Sequence, residues 1–158
     1  MKKLLYWTLA LALLLGLTAC GKNDAPPLYN AADVTAIDGA GAFNAELDDM
    51  EGLDADIAFL LYGLEDAGLE REDLKSCSGR RSAGATCEEA AVLIFTDSDK
   101  AETAAGALKD YVQRQIDENV DYRPAEIPKL ENAYIDRRGE SVLLVVASDI
   151  DAAKKAVE

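Results

Sequence analysis

Histidine is absent from the 158 residues. That excludes Ser-His-Asp and Cys-His catalysis, His-ligated zinc or haem, and a histidine pH switch. Basic side chains are scarce as well. The 16 Lys and Arg stand against 30 Asp and Glu, a formal charge of −14. Nucleic acid demands a basic footprint, so no nucleic-acid partner is expected, and neither is flat adsorption on anionic lipid. The surplus acid makes a solvated, self-repelling surface instead. The three cysteines, Cys20, Cys77 and Cys87, contain no C-x-x-C spacing of the kind that lowers a thiol pKa. The apolar run from Leu4 to Gly16 falls short of the ~20 residues that span a bilayer comfortably.

That run has the makings of a secretory signal, with Lys2 and Lys3 in front and Leu17-Thr18-Ala19-Cys20 behind. The last four residues resemble the lipobox of bacterial lipoproteins. The resemblance implies cleavage between Ala19 and Cys20 and a diacylglyceryl group on the Cys20 sulfur. Membrane lipid, through the acylated Cys20, is thus one expected partner, since two acyl chains anchor stably where one binds only marginally. The plainer reading is an ordinary cleaved signal in which Cys20 is incidental. Loss of residues 1–19 removes two lysines and no acid, so the formal charge becomes −16. The organisation expected is a signal peptide over 1–19, a lipid-anchored flexible spacer over 20–41 and a single domain over 42–158. The spacer is rich in Gly, Pro and small polar residues; Leu28, Tyr29, Val34 and Ile37 leave room for some docking onto the domain.

Within the domain, Phe43, Leu47, Met50, Leu53, Ile57, Leu60 and Leu61 recur at three- and four-residue intervals. The spacing predicts an amphipathic helix over 42–62, broken near Gly52. Residues 73–79 form a weak strand. Ala90-Ala-Val-Leu-Ile-Phe95 is apolar on both faces, the mark of a central strand. Asp97-Ser98-Asp99 then caps a helix running to about Glu118, with Ala101, Ala104, Ala105, Leu108, Val112, Gln115 and Ile116 as its buried stripe. Tyr122-Arg123-Pro124 stops it, and Ile127-Pro128 extends the loop. Ala133–Asp136 and Val142–Ala147 read as a hairpin turning at Arg138-Gly139-Glu140-Ser141, before a short helix capped by Ser148–Asp151. Val92–Asp99 and Leu144–Asp151 match in pattern at an offset of 52 residues. The expectation is an α+β fold, a four-stranded antiparallel sheet with helices packed mainly on one face, which two αββ units side by side would give; the plainer reading of the match is that a strand running into a helix cap is a common phrase in α+β proteins.

Cys77 and Cys87 flank a turn-rich stretch. In a hairpin centred near Ser82 they face each other, and a disulfide across so short a loop adds roughly 2–3 kcal/mol if unstrained. Two thiols or a redox pair are the other states open to them.

Leu61-Tyr62-Gly63, Glu89-Ala90-Ala91-Val92, Tyr122-Arg123-Pro124, Leu130, Asn132-Ala133, Gly139 and the closing apolar strand occur in an order similar to that of a known family. From about Leu47 onward the chain resembles the small Gram-positive lipoproteins grouped as domain of unknown function 4358. The cysteine pair is not part of that pattern. The resemblance implies no activity and no catalytic residue.

The acidic run Glu46, Asp48, Asp49, Glu51, Asp54 and Asp56 fails as an EF-hand, because Met50 and Gly52 fall where ligands should be. It reads as a solvated helix face, and Asp97 and Asp99 read as helix caps. No metal and no cofactor are expected. Glu89, at the mouth of the central strand, is the acid to watch for acid–base work. Arg80-Arg81 and Arg137-Arg138 sit at or beside the predicted hairpin turns; with both tips at one end of the sheet they make a basic rim for a carboxylate or phosphate. Pairing with the surplus acids is the simpler use of them. The expectation is a lipid-anchored extracytoplasmic module on the cell membrane, not an enzyme, whose partner is an envelope protein or small ligand. A carboxylate-dependent hydrolase of wall polymer, needing two acids across a deep cleft, and a small-ligand carrier, needing an apolar pocket, are the alternatives.

Overall fold

The runs Ala90–Phe95 and Val142–Val146 are apolar at every position, and each lies inside a sheet covered on both faces. In the computed structural model, which describes residues 25–49, 55–84 and 86–158, the sheet is built from β1 (Leu47–Asp49), β2 (Leu74–Ser82), β3 (Glu89–Phe95), β4 (Tyr134–Arg138) and β5 (Ser141–Val146). Their spatial order is β1-β2-β3-β5-β4, and every neighbouring pair is antiparallel. The expected four-stranded antiparallel sheet is therefore present, with the three-residue β1 added at the β2 edge. β3 and β5 meet at its centre, where Ala91 pairs with Leu144 and Val92 with Leu143.

Successive strand residues face opposite sides, and the two central strands split their side chains accordingly. Ala91, Leu93, Phe95, Val142, Leu144 and Val146 enter one core, under the helices α2 (Ala55–Tyr62), α3 (Ser98–Asn119) and α4 (Ile127–Glu131). Ala90, Val92, Leu143 and Val145 enter a second, smaller core, covered by α1 (Ala31–Gly39) and α5 (Ile150–Ala156). Most of the helical residues thus lie on one face, with two short helices closing the other.

α3 begins where expected. Asp97 caps it, accepting from the amides of Asp99 and Lys100 at 3.0 and 2.9 Å. Its buried stripe is mostly alanine (Ala101, Ala104, Ala107) followed by Leu108, Tyr111 and Val112. Asp149 caps α5 in the same manner, accepting from Ala152.

Three local expectations are corrected. Residues 42–49 are not helical: 47–49 form β1, paired to Arg80–Ser82, because the open edge of β2 offers backbone partners that a fragment of helix lacks. The helix begins at Ala55, and the expected break at Gly52 lies outside the described residues. Ile127–Glu131 is a short helix rather than loop, with Pro128 in its first turn, where a missing N–H costs nothing. Part of the stretch expected to be spacer is folded. Asn30 caps α1 with a reciprocal contact from Asp33, and Tyr29, Val34 and Ile37 are buried in the second core.

Candidate functional site

Two glutamates stand at the mouth of β3, Glu88 just before it and Glu89 as its first residue, and they enter different surroundings. Glu89 enters the larger core and is 2% exposed. The hydroxyls of Tyr62 from α2 and Tyr111 from α3 donate to its two oxygens at 2.7 and 2.8 Å. The two rings meet edge to face, 5.1 Å between centroids. Across the ladder Arg81 pairs with Glu89 in register, and its Nε lies 3.8 Å from Oε2. Burial pushes the Glu89 carboxyl above the usual range, against the opposing pull of Tyr62, Arg81 and Tyr111. Both phenols are pushed up as well, by burial first and then by the Glu89 charge.

Glu88 is fully enclosed but differently satisfied. It accepts from the amides of Asn44 and Ala45 at 3.1 and 2.8 Å and from the Ser148 hydroxyl, with Lys129 Nζ at 3.4 Å. Burial works to raise its carboxyl, yet the hydrogen bonds from Ser148, Asn44 and Ala45 and the Lys129 charge outweigh it and leave the group below its ordinary value. Glu88 ties the segment before β1 to β3, to the end of β5 and to α4. It is structural.

Arg81 has a second side. Beyond it an open groove of about 430 Å³ lies between the β2–β3 connection and the C-terminal end of α3. Arg81, Ser82, Thr86 and Cys87 line one wall and Gln115, Glu118, Asn119 and Arg123 the other. Arg123 follows directly from the Tyr122-Arg123-Pro124 stop: its amide closes onto the Asn119 carbonyl at 2.7 Å, and its guanidinium stands 5.5 Å from the Tyr122 ring centroid. Burial, and then the Glu126 charge, push the Cys87 thiol up, with Arg123 opposing. A thiol held in its neutral form is a poor nucleophile. The groove therefore presents guanidinium, amide and hydroxyl groups and the Glu118 carboxylate, with Glu89 behind Arg81 rather than open to it.

The sequence-predicted residues fall as follows. Cys20 lies outside the described residues. Cys77 and Cys87 are not bridged: Cys77 pairs across the ladder with Leu93, and Cys87 precedes β3, six residues before Leu93 and about 20 Å away at strand spacing, where a disulfide needs Cα atoms within about 7 Å. The Ser82 amide donates to the Glu88 carbonyl, so the hairpin is not centred on Ser82, and that displacement separates the cysteines. The common arginine rim does not form. Arg80 and Arg81 lie opposite Ala90 and Glu89, whereas Arg137 and Arg138 lie beside Val142 and Ser141, at the other end of the sheet. Arg80 pairs with Asp38, Arg137 donates to the Gly139 carbonyl, and Arg138 donates to Val157 and covers the Tyr29 ring at 4.2 Å. Of the acidic run, Asp56 pairs with Arg71 at 2.8 Å. Among the described residues no group of acids and cysteines gathers as metal ligands, and no helix is long and apolar enough to cross a membrane. Sequence reasoning singled out Glu89 and Arg81 but not Tyr111, Asn119 or Arg123 as their neighbours. Tyr62 and Arg123 stood in quoted motifs, the one usable signal.

The sequence profile of the family described as Domain of unknown function (DUF4358) matches residues 44–147. That span runs from the segment bonded to Glu88 through β5 and contains Tyr62, Arg81, Glu89, Tyr111 and Arg123. No curated protein and no solved structure matches the chain.

Proposed function

The chain belongs to the DUF4358 family, and from that premise we propose that it is a lipid-anchored, extracytoplasmic binding module at the cell envelope, without catalysis. The observation that carries the reading is the groove. Its walls offer hydrogen-bonding and cationic groups beside a single carboxylate, Glu118, while Glu89 is capped by two tyrosines away from it, so no pair of acids faces across the groove. Such an arrangement suits recognition of a polar group. The lipobox at Leu17–Cys20 supports the anchor, and the early start of the fold refines it. Tyr29 is the first buried residue of the described fold and stands nine residues after Cys20. Even fully extended, that length reaches only about 30 Å. A domain so tethered works close to the bilayer.

Two linked measurements test this. Cys20→Ala should move the protein from the membrane to the soluble fraction. Hydroxyl-radical footprinting of the anchored protein on its own envelope, against the same protein in detergent, should show protection concentrated at Thr86, Gln115 and Arg123. A variant that stayed in the membrane would remove the anchor from the reading. Uniform labelling in both settings would remove the binding role.

A further inference from the structure

We propose that Arg81 and Arg123 together receive the terminal carboxylate of a peptide. The inference rests on the binding reading above and names the chemistry of its ligand. Acids outnumber basic residues by almost two to one in this chain, so an arginine without a close carboxylate is the less expected case. Arg123 is such a case, and it shares one groove with Arg81. The ion-pair neighbour of Arg81 is Glu89, and at 3.8 Å from Nε it lies beyond hydrogen-bond reach. Among the described residues Arg123 has no carboxylate at ion-pair distance; its guanidinium rests on the Tyr122 ring. Planar guanidinium forks match a carboxylate in geometry and charge.

The rest of the groove narrows the choice. Glu118 lies on the wall opposite Arg81, and its charge disfavours a dianion such as phosphate more than a monoanion. Gln115, Asn119, Ser82 and Thr86 also line the groove; Asn119 Nδ2 donates to the Gln115 carbonyl and Thr86 Oγ1 to Glu88, and the polar atoms left over suit the amide groups that precede a peptide's carboxylate. The groove is open and polar, unlike the enclosed apolar pockets that hold free small molecules. It fits the end of a longer chain, a recognised mode of capture.

The test is a titration of the full-length anchored protein in detergent with N-acetyl-Ala-Ala and with its C-terminal amide. Binding is followed by calorimetry and by the Nε–Hε resonances of the arginines. The acid should bind saturably, moving the Arg81 and Arg123 resonances and leaving those of Arg137 and Arg138 in place. The amide should bind at least tenfold more weakly. Arg123→Gln should weaken the acid about tenfold, and Arg81→Lys, which keeps the charge and the fold but loses the fork, should weaken it too. Preference for the L,L or the D,D peptide then assigns the source to a ribosomal chain or to a wall peptide, and either supports the proposal. Equal binding of acid and amide, a non-saturating response, or shifts confined to Arg137 and Arg138 would overturn it. A protected groove in footprinting with no carboxylate binding overturns this inference alone; an unprotected groove overturns the reading beneath it.

Discussion

Successive side chains at the entry to β3 part company: Glu88, just before the strand, sits in a cage of donors, and Glu89, its first residue, in a tyrosine-lined core. Their electrostatic consequences have opposite sign. The folded-state pKa of Glu88 lies below its unfolded value, so its contribution to stability is complete above the unfolded value of about 4.3. It is lost as pH falls towards the depressed folded value. That of Glu89 is raised. The folded protein then holds this proton where the unfolded chain has released it, so stability falls as pH rises from about 4.3 through the raised value. Glu88→Gln should therefore cost about 2–3 kcal/mol at pH 7, the scale of lost hydrogen bonds to a buried charge, with the deficit shrinking below about pH 4. Glu89→Gln should gain on the wild type as pH rises. Urea midpoints measured from acid to neutral pH check both. Curves for the two variants that run parallel to the wild type would contradict the assignment.

Elements that carry their own pattern were legible: β3, α3, the β4–β5 hairpin and α5 each combine an apolar period with a cap or turn. Gly139, at φ +55°, is the turn residue the hairpin needed. β1 was not legible, because three residues become a strand only when a neighbour offers an open edge. The arginine rim and the cysteine bridge failed for one shared reason. Both depended on where the β2–β3 turn falls and on which end of the sheet each hairpin points to, and neither is written in local pattern. The site was half visible: an acid at the mouth of an apolar strand is conspicuous, but its partners Tyr62 and Tyr111 stand 27 and 22 residues away. Only the packing of α2 and α3 brings them together. The cap of α3 gives a prediction at this scale. Asp97→Ala removes the acceptor of two amides and should cost about 1 kcal/mol in thermal or urea unfolding. Asp99→Ala, whose side chain does not cap, should cost less; equal losses would deny Asp97 its role.

At the scale of the whole molecule, the sheet has two faces and the chain must cover both. The larger face is closed by α2, α3 and α4, all within the stretch expected to be the domain. The smaller is closed by α5 and by α1, and α1 lies before residue 42 and before the span shared with the family. In sequence α1 looks like linker because only Tyr29, Val34 and Ile37 mark it, too few for a periodic signal. Physically those three side chains cover Ala90, Val92, Leu143 and Val145. Burying each is worth about 1.5–3 kcal/mol, a sum comparable with the ~5–15 kcal/mol that holds a typical domain together. A chain beginning at Ala25 should thus unfold in one cooperative urea transition. A chain beginning at Ala42 should lose several kcal/mol, expose the apolar face of β3 and β5, and bind hydrophobic dye or aggregate. If both chains unfolded at the same urea concentration with the same slope, α1 would be an ornament on the tether. If the shorter one fails, the segment that looked like spacer is the second wall of the core, and the anchor point is brought up against the fold itself.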